Sequence, residues 1–425
     1  MNLYLYPEKK DWELILKRPT QSLEDLEATV NQIFLDVQRN GDIALKKYTS
    51  MFDGVNLESL LVSQSEFDEA ENRVSEALKK AIQAAKKNIE SFHKSQVQGS
   101  KKIETVSGVS CWSETRAIER IGLYIPGGTA PLFSTVLMLA APAKIAGCKQ
   151  ISLFSPPNKQ GKIANEILYA AKLCGVDKVY KLGGIQAIAA MTFGTESIEK
   201  VYKIFGPGNQ FVTAAKQVAT KYGVAIDMPA GPSEVLVVAD ATSNPAFVAA
   251  DLLSQAEHGV DSQVVLLSKE ETVIEKVQSK IETQLAVLPR KEIAQQALNN
   301  SVFVVLKEDT AILEMINLYA PEHLILATET PDFFVQNVQN AGSVFIGNYA
   351  PESVGDYASG TNHTLPTSGF ARAFSGVNLS SFTKRITFQE ISKQGLENIA
   401  ETVMLMAEAE GLQAHKNAVA IRLKS

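Results

Sequence analysis

Residues 149–222 read KQISLFSPPNKQGKIANEILYAAKLCGVDKVYKLGGIQAIAAMTFGTESIEKVYKIFGPGNQFVTAAKQVATKY, and this stretch decides the fold class. Short β-rich runs alternate with helical ones: Ile151–Phe154 then Ile163–Leu173, Lys178–Leu182 then Ile185–Phe193, Val201–Phe205 then Gln210–Tyr222. Parallel neighbours need a long crossover, usually a helix, so this alternation predicts βαβ units on a parallel sheet. Each strand stops near a glycine or proline, at the end of an open α/β sheet where ligands settle. A second series follows, with strands at Glu234–Ala239, Gln263–Leu267, Val302–Val305, His323–Leu326 and Ser343–Ile346. Helices at Pro245–Ala256 and Thr272–Leu285 separate them. The sequence therefore predicts an α/β protein with two parallel-sheet blocks.

The flanks have another texture. About the first 95 residues read as helical, with Phe67, Ala70, Val74, Leu78, Ala81, Ala85 and Ile89 forming one apolar stripe. Ser22 followed by Asp25 offers a capped start for an earlier helix through Leu26, Val30 and Phe34. Beyond Ile346, about thirty residues rich in Gly, Ser, Thr and Asn show no periodicity, the character of a functional loop. The tail from Phe388 reads as helical, with Ile391, Leu396, Ile399 and Val403 on one face.

Composition narrows the function. The 425 residues carry 41 Lys plus Arg against 47 Asp plus Glu, a net charge of −6 with no basic block. That disfavours nucleic acid and anionic membranes as partners and favours small molecules or another protein surface. The length suggests two or three domains, and 45% hydrophobic with 21% charged residues is ordinary for a soluble enzyme. Residues 1–12 lack a signal-peptide core, and no apolar run reaches the roughly 18 residues of a membrane span. Three cysteines without a C-x-x-C pair fit a reducing, cytoplasmic setting and leave any zinc site to nitrogen and oxygen ligands.

Several residues are candidates for chemistry. Gln255 and His258 lie three apart at a helix end, with Asp251 on the same face, which suits either half of an ion site or an ordinary helix C-terminus. Glu322-His323 opens a strand, where His323 is either a proton acceptor for an alcohol or a strand-edge histidine bonded to backbone. Adjacent strand residues face opposite ways, so the two serve different atoms unless the backbone turns there. Glu352, Asp356 and His363 in the loop, and Glu410 and His415 in the tail, read on spacing alone as solvated polar residues, as does His93. The glycine turns after Tyr124, Leu182 and Phe205 suit phosphate or ribose contact, although Gly206-Pro-Gly208-Asn-Gln-Phe211 lacks the third glycine of the dinucleotide fingerprint. Ordinary strand-to-helix turns explain them equally well.

Taken together, Phe205-Gly-Pro-Gly-Asn209, Asp227-Met-Pro-Ala-Gly-Pro-Ser233-Glu234, Ser254-Gln-Ala-Glu-His258-Gly259, Tyr319-Ala-Pro-Glu322-His323-Leu324, the loop around Glu352 and Asp356, and Gly360-Thr-Asn-His363 closely resemble the histidinol dehydrogenase family. The likeness runs essentially end to end. It implies a pair of incomplete Rossmann-like domains in an intertwined homodimer with shared active sites, oxidising L-histidinol to L-histidine through bound histidinal while two NAD⁺ are reduced, the last step of histidine biosynthesis.

By this resemblance Gln255, His258, Asp356 and His415 would hold one Zn²⁺ per subunit, gripping the substrate's imidazole and amine rather than polarising its alcohol. His415 would reach into the partner subunit's site. Ser233, His323, His363 and Glu410 would join the four ligands in the substrate cradle. His323 would take the alcohol proton and Glu322 would activate water for the aldehyde, while Tyr124, Gln186 and Asn209 would contact NAD. The expected division is an N-terminal helical segment 1–21, a discontinuous domain 22–121 with 232–378 carrying most site residues, an NAD-side domain 122–231, and a helical tail 379–425. A relative oxidising another small amino- or diol-type alcohol, a zinc hydrolase and a binding scaffold are the competing readings.

Overall fold

The computed structural model describes residues 1–19, 23–127, 131–176 and 178–424, so the expected Ser22 cap and Gly128 lie outside the described residues. Its core is two parallel sheets. One orders its strands Lys178–Lys181, Gln150–Ser155, Arg120–Tyr124, Lys203–Phe205, Ala225–Ile226, every neighbour parallel. In chain order this is 3-2-1-4-5, the doubly wound arrangement short of its sixth strand. The other sheet repeats that order with Val302–Val305, Gln263–Ser268, Glu234–Ala239, His323–Ala327 and Ser343–Ile346. An N-terminal strand, Asn2–Leu5, is added outside Val302–Val305.

Burial explains why these strands read as continuous apolar runs. All six residues of Glu234–Ala239 are buried, with Val235 and Val237 in the core on one face and Leu236 and Val238 in the core on the other. A central parallel strand covered on both sides has no polar face to show. Among the described residues no helix is long and apolar enough to cross a membrane.

Four expectations change. Residues 2–5 form a strand, because Leu3 and Leu5 alternate with polar or aromatic neighbours and an edge at Val302–Val305 stands open to them. The tail is not helical from Phe388. Thr383–Ile391 pairs antiparallel with Val109–Ala117 along nine residues, and Phe388 stacks on Trp112 at 5.3 Å. Ile103–Val106 completes that three-stranded sheet; helices resume at Lys393–Ala409 and Gln413–Ala420. The loop after Ile346 holds a short helix, Glu352–Tyr357.

The fourth change concerns packing. The helix Leu23–Asp53 lies on Gly184–Phe193 and Gln210–Lys221, Gln64–Arg73 lies on Asn165–Leu173, and Glu76–Lys94 lies on Phe133–Ala146. The helices of residues 23–94 thus cover the five-stranded sheet, in place of the expected grouping with 232–378. The apolar stripe itself is real; periodicity shows that a helix has a buried face but not which sheet receives it.

One buried ion pair fixes a turn that matters below. Lys216 and Asp227, 2% and 0% exposed, meet at 2.5 Å. Lys216 Nζ donates to the Gly206 carbonyl at 2.8 Å, and the Gly206 N–H donates to Asp227 Oδ2 at 2.8 Å. The N–H and the carbonyl of one glycine are held by opposite charges, which rigidifies the chain leading to Asn209. Lys216→Met would strand a buried carboxylate. The expected loss is about 3–5 kcal/mol, read as a lower urea midpoint at unchanged slope; an unshifted midpoint would contradict it.

Candidate active site

The site gathers at the amino ends of two paired strands. Glu234–Ala239 and His323–Ala327 run parallel with His323 opposite Val235, so the ladder starts one residue past Glu234. The helix Asp309–Tyr319 leads in and ends on Ala320 in the left-handed region (φ 52°), a conformation that costs a residue with a Cβ about 1–2 kcal/mol. This turn answers the question of facing: Glu322 Oε2 lies 3.6 Å from His323 Nδ1, so both side chains serve one place.

Glu234 holds them there. Its N–H donates to Glu322 Oε2 at 2.9 Å, and its carbonyl oxygen lies 3.1 Å from His323 Nδ1 and 3.2 Å from Gln255 Nε2. Gln255 Nε2, a donor, lies 3.3 Å from the same Nδ1, but the nearer Glu234 carbonyl and the Glu322 carboxylate can only accept, which favours a neutral His323 with its proton on Nδ1 and a lone pair on Nε2. His323 Nε2 has no hydrogen-bond partner and lies 3.4 Å from Asp356 Oδ1. Burial pushes the His323 imidazolium down, but the Glu322, Asp356 and Glu352 carboxylates outweigh it and hold the group well above its usual range. Glu322 is raised, by burial first and against the pull of His323.

Gln255 is the penultimate residue of the helix Pro245–Ala256 and almost fully buried. His258 follows on a turn closed by its N–H to the Gln255 carbonyl at 3.3 Å, and its outer side is exposed. Burial of the rest of the ring lowers its pKa, the Asp356 charge opposes that, and the charges of His323 and His363 add to it. Asp356 stands on the short loop helix and is lowered because His323, His363 and His258 outweigh its burial. His363 Nδ1 donates to the Asp356 carbonyl at 2.8 Å, and Nε2 meets Thr135 Oγ1 at 3.0 Å. Ser233 lies half-buried just before the strand.

Gln255 Oε1 and Asp356 Oδ1 are buried oxygens without a hydrogen-bond donor among the described residues. Two orphaned oxygens beside a partly exposed imidazole suit a divalent cation. Among the described residues no three His, Cys, Asp or Glu side chains come together as a metal site. Glu410 and His415 are exposed, at the end of Lys393–Ala409 and within Gln413–Ala420, and this chain does not bring them to the others.

A second locus lies at the carboxyl ends of the five-stranded sheet. Tyr124, Gln186 and Asn209 line a cleft of about 510 Å³ with Phe52, Asp53 and Phe211. The Gly184 N–H donates to the Tyr124 hydroxyl at 3.1 Å, and burial pushes that phenol up to about 12. Asn209 caps the helix Gln210–Lys221 by accepting from the Val212 N–H at 3.1 Å. Gln186 Oε1 is buried and unpartnered. Gly206 sits at φ 129°, where a Cβ would lie 2.0 Å from the Tyr124 carbonyl oxygen. That turn needs glycine for close approach, whether or not the fingerprint is complete.

The arrangement has close counterparts. A profile of the histidinol dehydrogenase family matches residues 16–423. The chain belongs to this family. The histidinol dehydrogenase of Bacteroides thetaiotaomicron is 57% identical over 425 residues, covering 100% of this chain and 99% of the relative. That of Pasteurella multocida is 55% identical over 410 residues, 96% and 95% of the two chains. The crystal structure of histidinol dehydrogenase from Elizabethkingia anophelis superposes with a TM-score of 0.97 at 56% identity, covering 100% of this chain and 98% of that one. The protein is accordingly an oxidoreductase of histidinol dehydrogenase type.

His93 is corrected: it is fully buried, its Nδ1 bonded to the Ile89 carbonyl at 2.8 Å, and burial lowers its pKa. Other residues carry more of the site than the sequence suggested. Thr135 and Arg18 had no motif to flag them, and Glu234 stood inside one unremarked. Glu352 is 1% exposed, its carboxyl accepts from the Ser254 hydroxyl at 2.7 Å, and burial pushes it up to about 8.

The sign of the Glu352 effect is fixed by linkage. From its ordinary 4.5 to about 8, the folded chain keeps a proton that the unfolded chain has lost. Stability from this group is full below the lower value and drains as pH rises through the upper one. Glu352→Gln should therefore flatten the fall in melting temperature of the metal-free protein across that window. Parallel curves for variant and parent would refute it.

Proposed function

We propose that the chain oxidises L-histidinol to L-histidine in two hydride transfers at one carbon, through histidinal that stays bound. One observation carries the reading: a buried carboxylate and an imidazole with its outer nitrogen unbonded are held by the N–H and the carbonyl of one residue, facing one point. Successive oxidations need both groups. His323 Nε2 takes the hydroxyl proton while the carbon-bound hydrogen leaves as hydride. Glu322, kept near by the Glu234 N–H, takes a proton from water as the oxygen adds to the aldehyde carbon. As the water oxygen adds, His323 returns its first proton to the former carbonyl oxygen, which gives the neutral hydrate. Its Nε2, free again, receives a hydrate hydroxyl proton for the second hydride departure. Each half is general acid–base catalysis by a positioned group.

Cofactor assignments follow the donor sets. Gln255, His258 and Asp356, with His415 of a second copy, would hold Zn²⁺; Tyr124, Gln186 and Asn209 would line the NAD⁺ cleft. When bound, zinc supplies a positive anchor for the substrate's imidazole and amine and offsets the Asp356 charge, and NAD⁺ supplies the hydride acceptor. Ser233, His363, Glu410 and the ligand set complete the cradle, with His363 steadied by Thr135 across the two blocks. The exposure of Glu410 and His415, far along a helical tail, supports an intertwined homodimer in which each tail completes the other subunit's site.

Purified protein given limiting histidinol and excess NAD⁺ should form two NADH per substrate, and chelation of zinc should abolish turnover. One NADH with histidinal released into solution would contradict the two-step reading.

Shared sites have their own test. Co-expressed His323→Asn and His415→Asn chains, each inactive alone, should regain turnover in the mixed dimer, which holds one site with both residues intact. No recovery from a verified mixed dimer would show that His415 serves its own subunit.

A further inference from the structure

Glu234 lies outside every expected set of site residues, yet its peptide groups touch three of them: Glu322, His323 and Gln255. Its side chain, 3% exposed, points elsewhere and meets the Arg18 guanidinium. Arg18 Nε donates to Glu234 Oε1 and Arg18 Nη2 to Oε2 at 2.9 Å, a two-pronged fork. The Ser368 N–H donates to the same Oε1 at 2.8 Å.

Arg18 is fixed in turn. Nη2 also donates to the Tyr319 carbonyl at 2.8 Å, and the guanidinium lies 4.0 Å over the Tyr319 ring. The Tyr319 hydroxyl donates to Gln263 Oε1 at 3.0 Å, and Gln263 is the strand neighbour of Glu234. Tyr319 closes the helix that leads through Ala320 and Pro321 to Glu322. One guanidinium therefore bridges the two chain segments whose relative placement sets the distance from acid to base.

We propose that Arg18 and Glu234 form a positioning pair for this reaction. The fork fixes Glu234 in place, and the peptide units on either side of its Cα, through its N–H and its carbonyl, aim Glu322 and His323 together. Physical need supports the assignment. On the side facing His323–Ala327 the ladder begins at Val235, so the Glu234 N–H has no strand partner there and depends on the Glu322 carboxylate. A shift of the Glu234 backbone would move both groups at once, and displacement by about 1 Å costs roughly 100-fold in rate. The inference rests on the reading of Glu322 and His323 as the acid–base pair.

Steady-state kinetics of the zinc-loaded enzyme with histidinol and NAD⁺ test it. Arg18→Ala and Glu234→Gln should each lower kcat by about 10- to 100-fold, with both KM values and zinc content unchanged. The double variant should be no slower than the worse single one, since both changes break one fork. Arg18→Lys should recover only part of the rate, because an ammonium cannot reach both carboxylate oxygens and the Tyr319 carbonyl as a planar fork does. Unchanged kcat in folded protein, multiplied losses in the double variant, or a loss accounted for by missing zinc or unfolded chain would each overturn the proposal. Should Arg18→Ala fail to fold, Glu234→Gln, which keeps the side chain's volume, decides alone on kcat. His323→Asn measured alongside separates the two layers: normal turnover there would sink the acid–base reading itself, whatever Arg18 does.

Discussion

The site depends on the offset between two parallel strands. Because the ladder joining Glu234–Ala239 to His323–Ala327 begins at Val235, the Glu234 N–H meets no strand carbonyl and is left for a side chain. A buried N–H must find a partner, and here the partner is the Glu322 carboxylate, while the Glu234 carbonyl also faces the His323 ring. The same carbonyl favours one tautomer of His323. Geometry that in most sheets would be a frayed strand start becomes the frame for an acid–base pair.

The two sheets share one topology and use opposite ends of it. In the five-stranded sheet the cleft opens at the carboxyl ends, where helices Gly184–Phe193 and Gln210–Lys221 begin and their N–H groups face outward. That end suits an anionic cofactor. In the six-stranded sheet the clustered residues lie at the amino ends, reached by the C-terminus of Pro245–Ala256 as it runs back antiparallel to its strand. Helix C-termini favour cations, in keeping with a metal there. Thr135 bonding to His363 connects the blocks across the gap.

Much of this was legible in the sequence, for identifiable reasons. Strands such as Glu234–Ala239 and helices such as Pro245–Ala256 were found to the residue, because buried parallel strands and amphipathic helices leave strong local patterns. What failed was non-local. Thr383–Ile391 is a strand only because Val109–Ala117 lies beside it, and its apolar residues also fit a helical period. The helices before residue 95 carry a stripe but no address. Gln255, His323, Asp356 and His363 are linked by short contacts that spacing alone did not foretell; their roles rest on the family resemblance. Arg18 was invisible, since a lone arginine in an N-terminal segment has no sequence pattern that announces a bond 216 positions away.

All three cysteines are free thiols, and none is among the residues placed in either site. Burial pushes Cys148 up to about 11 and Cys174 up to about 12, so neither offers a thiolate at neutral pH. Cys111 lies on Val109–Ala117, in the three-stranded arm. A machinery of imidazole, carboxylate and amide gives peroxide no sulfur to attack. Thiol oxidation has no direct target among the groups placed in either site, and a maleimide dye on the partly exposed Cys111 would report on the arm.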